Sequence, residues 1–189
     1  MIRDLVLQNR SYRRFHQEVA IDRKTLLELV DLARLSASSA NRQPLKYILS
    51  SEPGRNALIF HTLTWATYLK DWDGPAEGER PSAYVIILGD TSITTSFSCD
   101  HGIAAQSITL GATERGLGGC MITSIQREKL RSALKIPEHL EILLAIALGK
   151  PAETVMLEPM GVDEDFKYWR DTEGRHHVPK RPLEDLIVG

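Results

Sequence analysis

The segment from Asp100 to Arg115 constrains the fold more than any other, because it is predicted to be a helix built largely from small residues: Gly102, Ala104, Ala105, Ser107, Gly111 and Ala112. Small side chains let another backbone come close, so such a helix belongs at the centre of the structure. Gly116 stops it. Two apolar runs stand on either side. Ser82 to Leu88 is β-branched and ends at Gly89-Asp90, and Leu140 to Leu148 ends at Gly149. Neither alternates with polar residues, which marks strands covered on both faces.

The remaining elements are shorter. Asp22 to Leu35 is predicted as a helix capped by Asp22, with Leu26, Leu29, Val30 and Ala33 on one face. Lys46 to Ser50 is a strand, Asn56 to Leu69 a helix, and Asp71 to Pro81 a polar loop. Gly119 to Thr123 is a short strand, followed by a helix from Arg127 to Lys135 that Pro137 ends. From Pro151 to Gly189 the chain has four prolines and little periodicity. So long an irregular tail is expected to wrap a neighbouring subunit or to close a site. Interspersed helices and strands over 189 residues predict one α+β domain.

The balance of charges narrows the partners. A formal net charge of -2 gives no electrostatic footprint for nucleic acid. No run approaches the roughly 20 apolar residues of a membrane span, and the charged start Met1-Ile2-Arg3-Asp4 is not a signal peptide. Two cysteines, Cys99 and Cys120, are too few for a disulfide framework or a structural zinc site. They are expected to be reduced thiols in a cytoplasmic protein.

Three clusters can carry chemistry. Arg10-Ser11-Tyr12-Arg13-Arg14 places three guanidinium groups and a serine hydroxyl within five residues. Such groups grip phosphate through paired, charge-assisted hydrogen bonds, or they form a solvated basic stretch. Ser36 to Pro44 is dense in hydroxyls and amides, which suits either the edge of a flat heterocycle or a turn before proline. Gly116-Leu117-Gly118-Gly119 allows close backbone approach to a ligand or makes a sharp helix-to-strand turn. Its glycines follow a helix, so it is not a dinucleotide fingerprint, and no Gly-Lys-Ser/Thr makes it a P-loop. A second cationic pair, Lys180-Arg181, precedes Pro182-Leu183-Glu184.

Together these segments resemble the nitroreductase family of flavoproteins. Arg10, Ser11, Arg13 and Phe15 match an Arg-Ser-x-Arg-x-Phe motif. Asn41, Gln43 and Pro44 match Asn-x-Gln-Pro within a Ser/Ala-rich segment. Gly116 to Gly118 match a Gly-Leu-Gly turn after the central helix, and Lys180 to Glu184 match a basic pair before Pro-Leu-Glu. The order of the four motifs spans nearly the whole chain.

The resemblance implies a central, mostly antiparallel sheet flanked by helices, in an intertwined homodimer with FMN at the subunit interface. It implies that Arg10, Ser11 and Arg13, joined by Lys180 or Arg181, hold the phosphate and ribityl end. Ser38, Ser39 and Asn41 of the partner subunit would line the other side of the flavin, with Gln43 close by. The backbone around Thr123 and Ser124 would face the flavin N5. NAD(P)H and an acceptor such as a nitroaromatic or quinone would then take turns in one slot, in a ping-pong hydride transfer with no metal and no side-chain nucleophile. The chain departs from the family at Ala37, where proline is common, and at Thr123 and Ser124, where glutamate or glycine is common. Its central loop is compact where larger relatives carry a helical lid. Flavin breakdown, dehalogenation and FMN storage are the alternative functions on the same scaffold.

Other residues have plainer readings. Cys120 is expected to be a buried, inert thiol, and His176-His177 a solvated pair in the tail. Asp100 is expected to cap its helix. Trp65, Trp72 and Trp169 are expected to pack, with Trp72 or Trp169 available to cover a ligand.

Overall fold

The computed structural model describes residues 1–161 and 164–189. It is an α+β fold organised on an antiparallel sheet. Strand β1 is Phe15–His16, β2 Leu45–Ser50, β3 Ala83–Asp90, β4 Gly118–Ile122 and β5 Leu140–Pro151. Their order is β1-β5-β3-β2, with β4 also paired to β5, and every pair is antiparallel.

Helices cover both faces: α1 (Ile2–Gln8), α2 (Arg23–Leu35), α3 (Pro53–Phe60), α4 (Asp100–Glu114) and α5 (Arg127–Leu134). All eight residues of β3 are buried. Ala83, Val85 and Ile87 join a core with α2 and α4, while Tyr84, Ile86 and Leu88 join the opposite core with Ile59 of α3 and Leu130 of α5. The unbroken apolar run is thus the signature of a strand with a helical layer on each side.

Local chemistry explains most boundaries. Asp22 caps α2, accepting the Thr25 N–H at 2.7 Å. Leu26, Leu29 and Ala33 are the buried face of that helix. A Cβ on Gly111 of α4 would collide with Leu32, so α2 and α4 approach each other where the small residue permits it. The last turn of α4 closes through Gly116 N–H to Thr113 O and Leu117 N–H to Ala112 O, with Gly116 at φ +70°.

Two expectations are corrected. The helix predicted for Asn56 to Leu69 is only Pro53–Phe60. Beyond it Thr62 turns its hydroxyl back to Ile59 O at 2.7 Å, and Leu63 bridges to Ile125. Pairing with Ile125, three residues past β4, wins over helix extension through a stretch containing three threonines. The tail is not irregular either. It contains β6 (Val155–Pro159), β7 (Trp169–Arg170) and β8 (His176–Lys180) in a sheet of order β6-β8-β7. Charged pairs described below, rather than an apolar stripe, hold it. No helix among the described residues is long and apolar enough to cross a membrane.

Candidate functional site

The N-terminal arginine motif follows α1 and lies over the start of β4. Ser11 bridges to Gly119, and Tyr12 N–H donates to Gly119 O at 3.0 Å. The Tyr12 ring fills the space that a Cβ on Gly118 would occupy. The glycine turn therefore seats the arginine motif, which joins two of the sequence clusters physically. From the other side, the Glu153 carboxylate accepts the N–H groups of both Arg13 and Arg14. Its second oxygen pairs with Arg170 at 3.0 Å.

This anchoring divides the arginines. Arg14 pairs with Glu79 and turns away. Arg10, Ser11 and Arg13 line a cleft of about 340 Å³ together with Asn9, Tyr168, His176, Val178 and Lys180. Residues 176, 178 and 180 share one face of β8 because strand side chains alternate. Arg181, just past β8, is exposed and is not among the lining residues. The two chain ends thus meet in one cationic cleft, through Lys180.

Inside the cleft Arg13 lies 4.5 Å over the Tyr168 ring and donates from Nη1 to His176 Nε2 at 2.9 Å. A donor on Nε2 fixes His176 as the neutral tautomer with its proton on Nδ1. Burial, then the charge of Arg13, lowers the His176 pKa to about 4. Arg10 bonds Val6 O at 2.6 Å, while its buried Nε meets no partner among the described residues.

The Ser-rich segment forms a second, separate site. Asp100, 3% exposed, accepts the Ser38 hydroxyl at 2.6 Å and the Ser39 N–H at 2.9 Å. Ser38 Oγ in turn accepts the Gln43 N–H at 2.9 Å. One carboxylate on α4 therefore holds both ends of a loop in which Ala40, Asn41 and Gln43 all have positive φ. Asp100 is not the expected cap: Cys99 occupies that position and the carboxylate faces the loop instead. Ser38 and Gln43 border a cavity of about 170 Å³ that also touches Tyr47 and Asp100. Burial, then the Asp100 charge, raises the Tyr47 pKa. Within one chain this cavity and the arginine cleft share no lining residue.

Thr123 and Ser124 are exposed just past β4. Ser124 O accepts Thr64 N–H at 2.9 Å, which fixes that corner. Gly119 lies three residues before the end of β4 at Ile122, about 10 Å along the strand, and Thr123 follows directly. Strand β4 thus runs from the arginine motif to the segment around Thr123.

The histidine pair is not solvated, contrary to the sequence reading. His176 is fully buried, and His177 lies between Glu158 Oε1 at 2.6 Å and Asp171 Oδ2 at 3.1 Å, stacked on Trp169. Hydrogen bonds to these two carboxylates raise the His177 pKa. Trp169 therefore packs on a histidine, and Trp72 lies 4.7 Å under Arg170. Cys120 is buried, and desolvation raises its thiol pKa, as an inert thiol requires. Glu153, Tyr168 and Asp100 position the site, yet no motif in the sequence marks them. Among the described residues no group of three or more His, Cys, Asp or Glu is arranged to hold a metal.

Comparison with known proteins agrees with this architecture. The model of the nitroreductase family matches residues 6–150. The FMN reductase (NADPH) of Bacillus subtilis strain 168 is 25% identical over 166 residues, which are 79% of this chain and 65% of that protein. The chain thus spans just under two thirds of that relative's length. A nitroreductase family protein from Clostridium novyi NT is 27% identical and superposes with a TM-score of 0.67, covering 80% of this chain and 86% of its own. A nitroreductase family protein from Streptococcus pneumoniae TIGR4, 14% identical, shares the fold over 100% of both chains with a TM-score of 0.72. An FMN-dependent nitroreductase from Clostridium difficile R20291 is 21% identical, with a TM-score of 0.65 over 92% of this chain and 94% of its own. With sheet, glycine-seated arginine motif and family match all in agreement, the chain belongs to the nitroreductase family.

Proposed function

We propose that this chain is an FMN-dependent oxidoreductase that works as a homodimer and uses NAD(P)H to reduce nitroaromatic, quinone or related acceptors. The observation that carries the reading is the meeting of Arg10, Ser11 and Arg13 with Lys180 in one cleft. Opposite ends of the chain supply cationic and hydroxyl donors there, and the buried Arg10 Nε has no acceptor among the described residues. A phosphate ester matches that donor set in charge and in number of acceptor oxygens.

In this reading Arg10, Ser11, Arg13 and Lys180 hold the phosphate, with Arg181 beside them. His176 stays neutral, so it orients Arg13 without competing for the anion. Ser38, Ser39, Asn41 and Gln43 of a second copy close over the ring, and the Asp100 carboxylate keeps that loop in shape. The backbone of Thr123 and Ser124 faces the reacting edge. FMN, when bound, supplies the hydride chemistry; donor and acceptor use the slot in turn. The exposed apolar side chains Leu183, Leu186, Ile187 and Val188 support a tail that extends over the partner. Two free thiols fit a reducing, cytoplasmic setting.

The test is a visible spectrum of the purified protein followed by anaerobic titration with NADH and NADPH. Flavin absorbance that bleaches with either nucleotide is expected. A colourless protein that takes up no added FMN would sink the cofactor assignment. Tight FMN that neither nucleotide bleaches would make this a storage protein or an enzyme with another donor.

A further inference from the structure

A third cavity, of about 120 Å³, lies between the start of α3 and the chain entering β3. It shares no lining residue with the arginine cleft or with the cavity beside Asp100. Arg80, Ser82 and Tyr84 occupy alternate positions along this stretch and all reach its wall. Each presents a buried polar atom without a hydrogen-bond partner among the described residues: Arg80 Nε, Ser82 Oγ and Tyr84 Oη. Tyr84 is 1% exposed and Ser82 8%. The hydroxyls are therefore screened from bulk water, where a missing partner is costly.

The charge of Arg80 is also unmatched. Its guanidinium lies 4.4 Å over the Phe60 ring. It makes no ion pair among the described residues, because the neighbouring Glu79 is turned to Arg14. Arg80 sits near enough to Tyr84 for its charge to oppose the rise in phenol pKa that burial causes. Ala57 and the Phe60 ring, on which Arg80 stacks, supply apolar surface to a lining that also holds Gln17, Ser51 and Asn56.

We propose that this cavity binds a small organic monocarboxylate, its oxygens on Arg80, Ser82 and Tyr84 and its short tail against Ala57 and Phe60. Two hydroxyls and a guanidinium lining one small cavity are the donor set that a carboxylate takes. Water would satisfy the hydroxyls but brings no negative charge to the half-buried guanidinium. Inorganic phosphate would leave the apolar wall unused.

Isothermal titration of the full chain with acetate, propionate and butyrate at constant ionic strength tests this. Saturable binding is expected, with a butyrate Kd on the order of 1 mM. Affinity should rise about fourfold per methylene along the series. It should be the same with and without excess FMN. Arg80→Met should weaken butyrate at least tenfold, a loss of one charge-assisted contact. Tyr84→Phe, which keeps the ring and loses only the hydroxyl, should weaken it several-fold, and it decides the matter if Arg80→Met does not fold. No saturable heat, inorganic phosphate binding as tightly as butyrate, competition with FMN, or unchanged affinity in the folded variants would each overturn the assignment.

Discussion

Glu153 and Arg170 form an ion pair of 3.0 Å in which the carboxylate side chain is 1% exposed, and through it the C-terminal sheet is tied to the N-terminal arginine motif. The same carboxylate holds the backbone of Arg13 and Arg14. One side chain thus fixes the positions of both walls of the arginine cleft. The Arg170 guanidinium also lies 4.7 Å over the Trp72 ring.

Replacing Glu153 with alanine should therefore destabilise the fold well beyond an ordinary surface change. Removing one member of a buried pair costs about 3–5 kcal/mol. For a domain of this size that corresponds to a fall in Tm of about 10 °C, read by thermal denaturation. A fall of under about 2 °C would mean that the pair contributes little.

Arg13→Ala should weaken FMN retention at least tenfold, because a charge-assisted hydrogen bond contributes about 1.5–3 kcal/mol. Fluorescence titration of stripped protein with FMN measures it. Unchanged affinity would move the phosphate away from the arginine cleft.

Asp100→Asn should loosen the loop from Ser38 to Gln43 while leaving the core intact. The substitution puts an amide donor where the Ser38 hydroxyl now donates, so that hydroxyl loses its acceptor. A neutral buried mismatch costs about 1–3 kcal/mol. Faster hydrogen exchange confined to the loop, together with several-fold weaker FMN binding, is the expected pair of results. Unchanged exchange there would show that Asp100 does not govern the loop.

The adjacent histidines should give the tail sheet a stability maximum. His177 has a raised folded pKa, so its contribution is complete below the unfolded value of about 6.5 and is lost as pH rises through the folded value. His176 has a lowered folded pKa of about 4, so its contribution holds above about 6.5 and is lost as pH falls toward 4. Urea denaturation across pH 5–9 should show His177→Gln flattening the alkaline limb and His176→Leu the acid limb. Parallel curves for wild type and both variants would exclude the histidines as the cause.

The parts legible in the sequence are those written in apolar patterning or in motif order. The runs at β3 and β5 announced strands covered on two faces, and Asp22 announced its helix start. The arginine and Lys180-Arg181 motifs pointed to one another across the chain, and the alternation of β8 then selected Lys180 for the lining. The tail sheet was illegible because Glu158, Asp171, Arg175 and His177 hold it through charge, which leaves no period of two. The over-long helix at Asn56 to Leu69 failed because the competing partner of Leu63 was Ile125, a contact 62 positions away that no local window contains. Asp100 was assigned to the nearest task, capping, when its actual partners lie 61 and 62 residues upstream.

The hold of Glu153 on Arg13 spans 140 positions of the chain. During translation Arg13 leaves the ribosome long before its anchor has been made. Until then the arginine segment is held on the β4 side, by Ser11 and Tyr12 on Gly119, and not on the side of the tail, since long-range closures come late. The cationic cleft is therefore completed only after Glu153 and β8 have emerged, and a truncated chain lacking Glu153 would have a sheet without a cleft to take an anion.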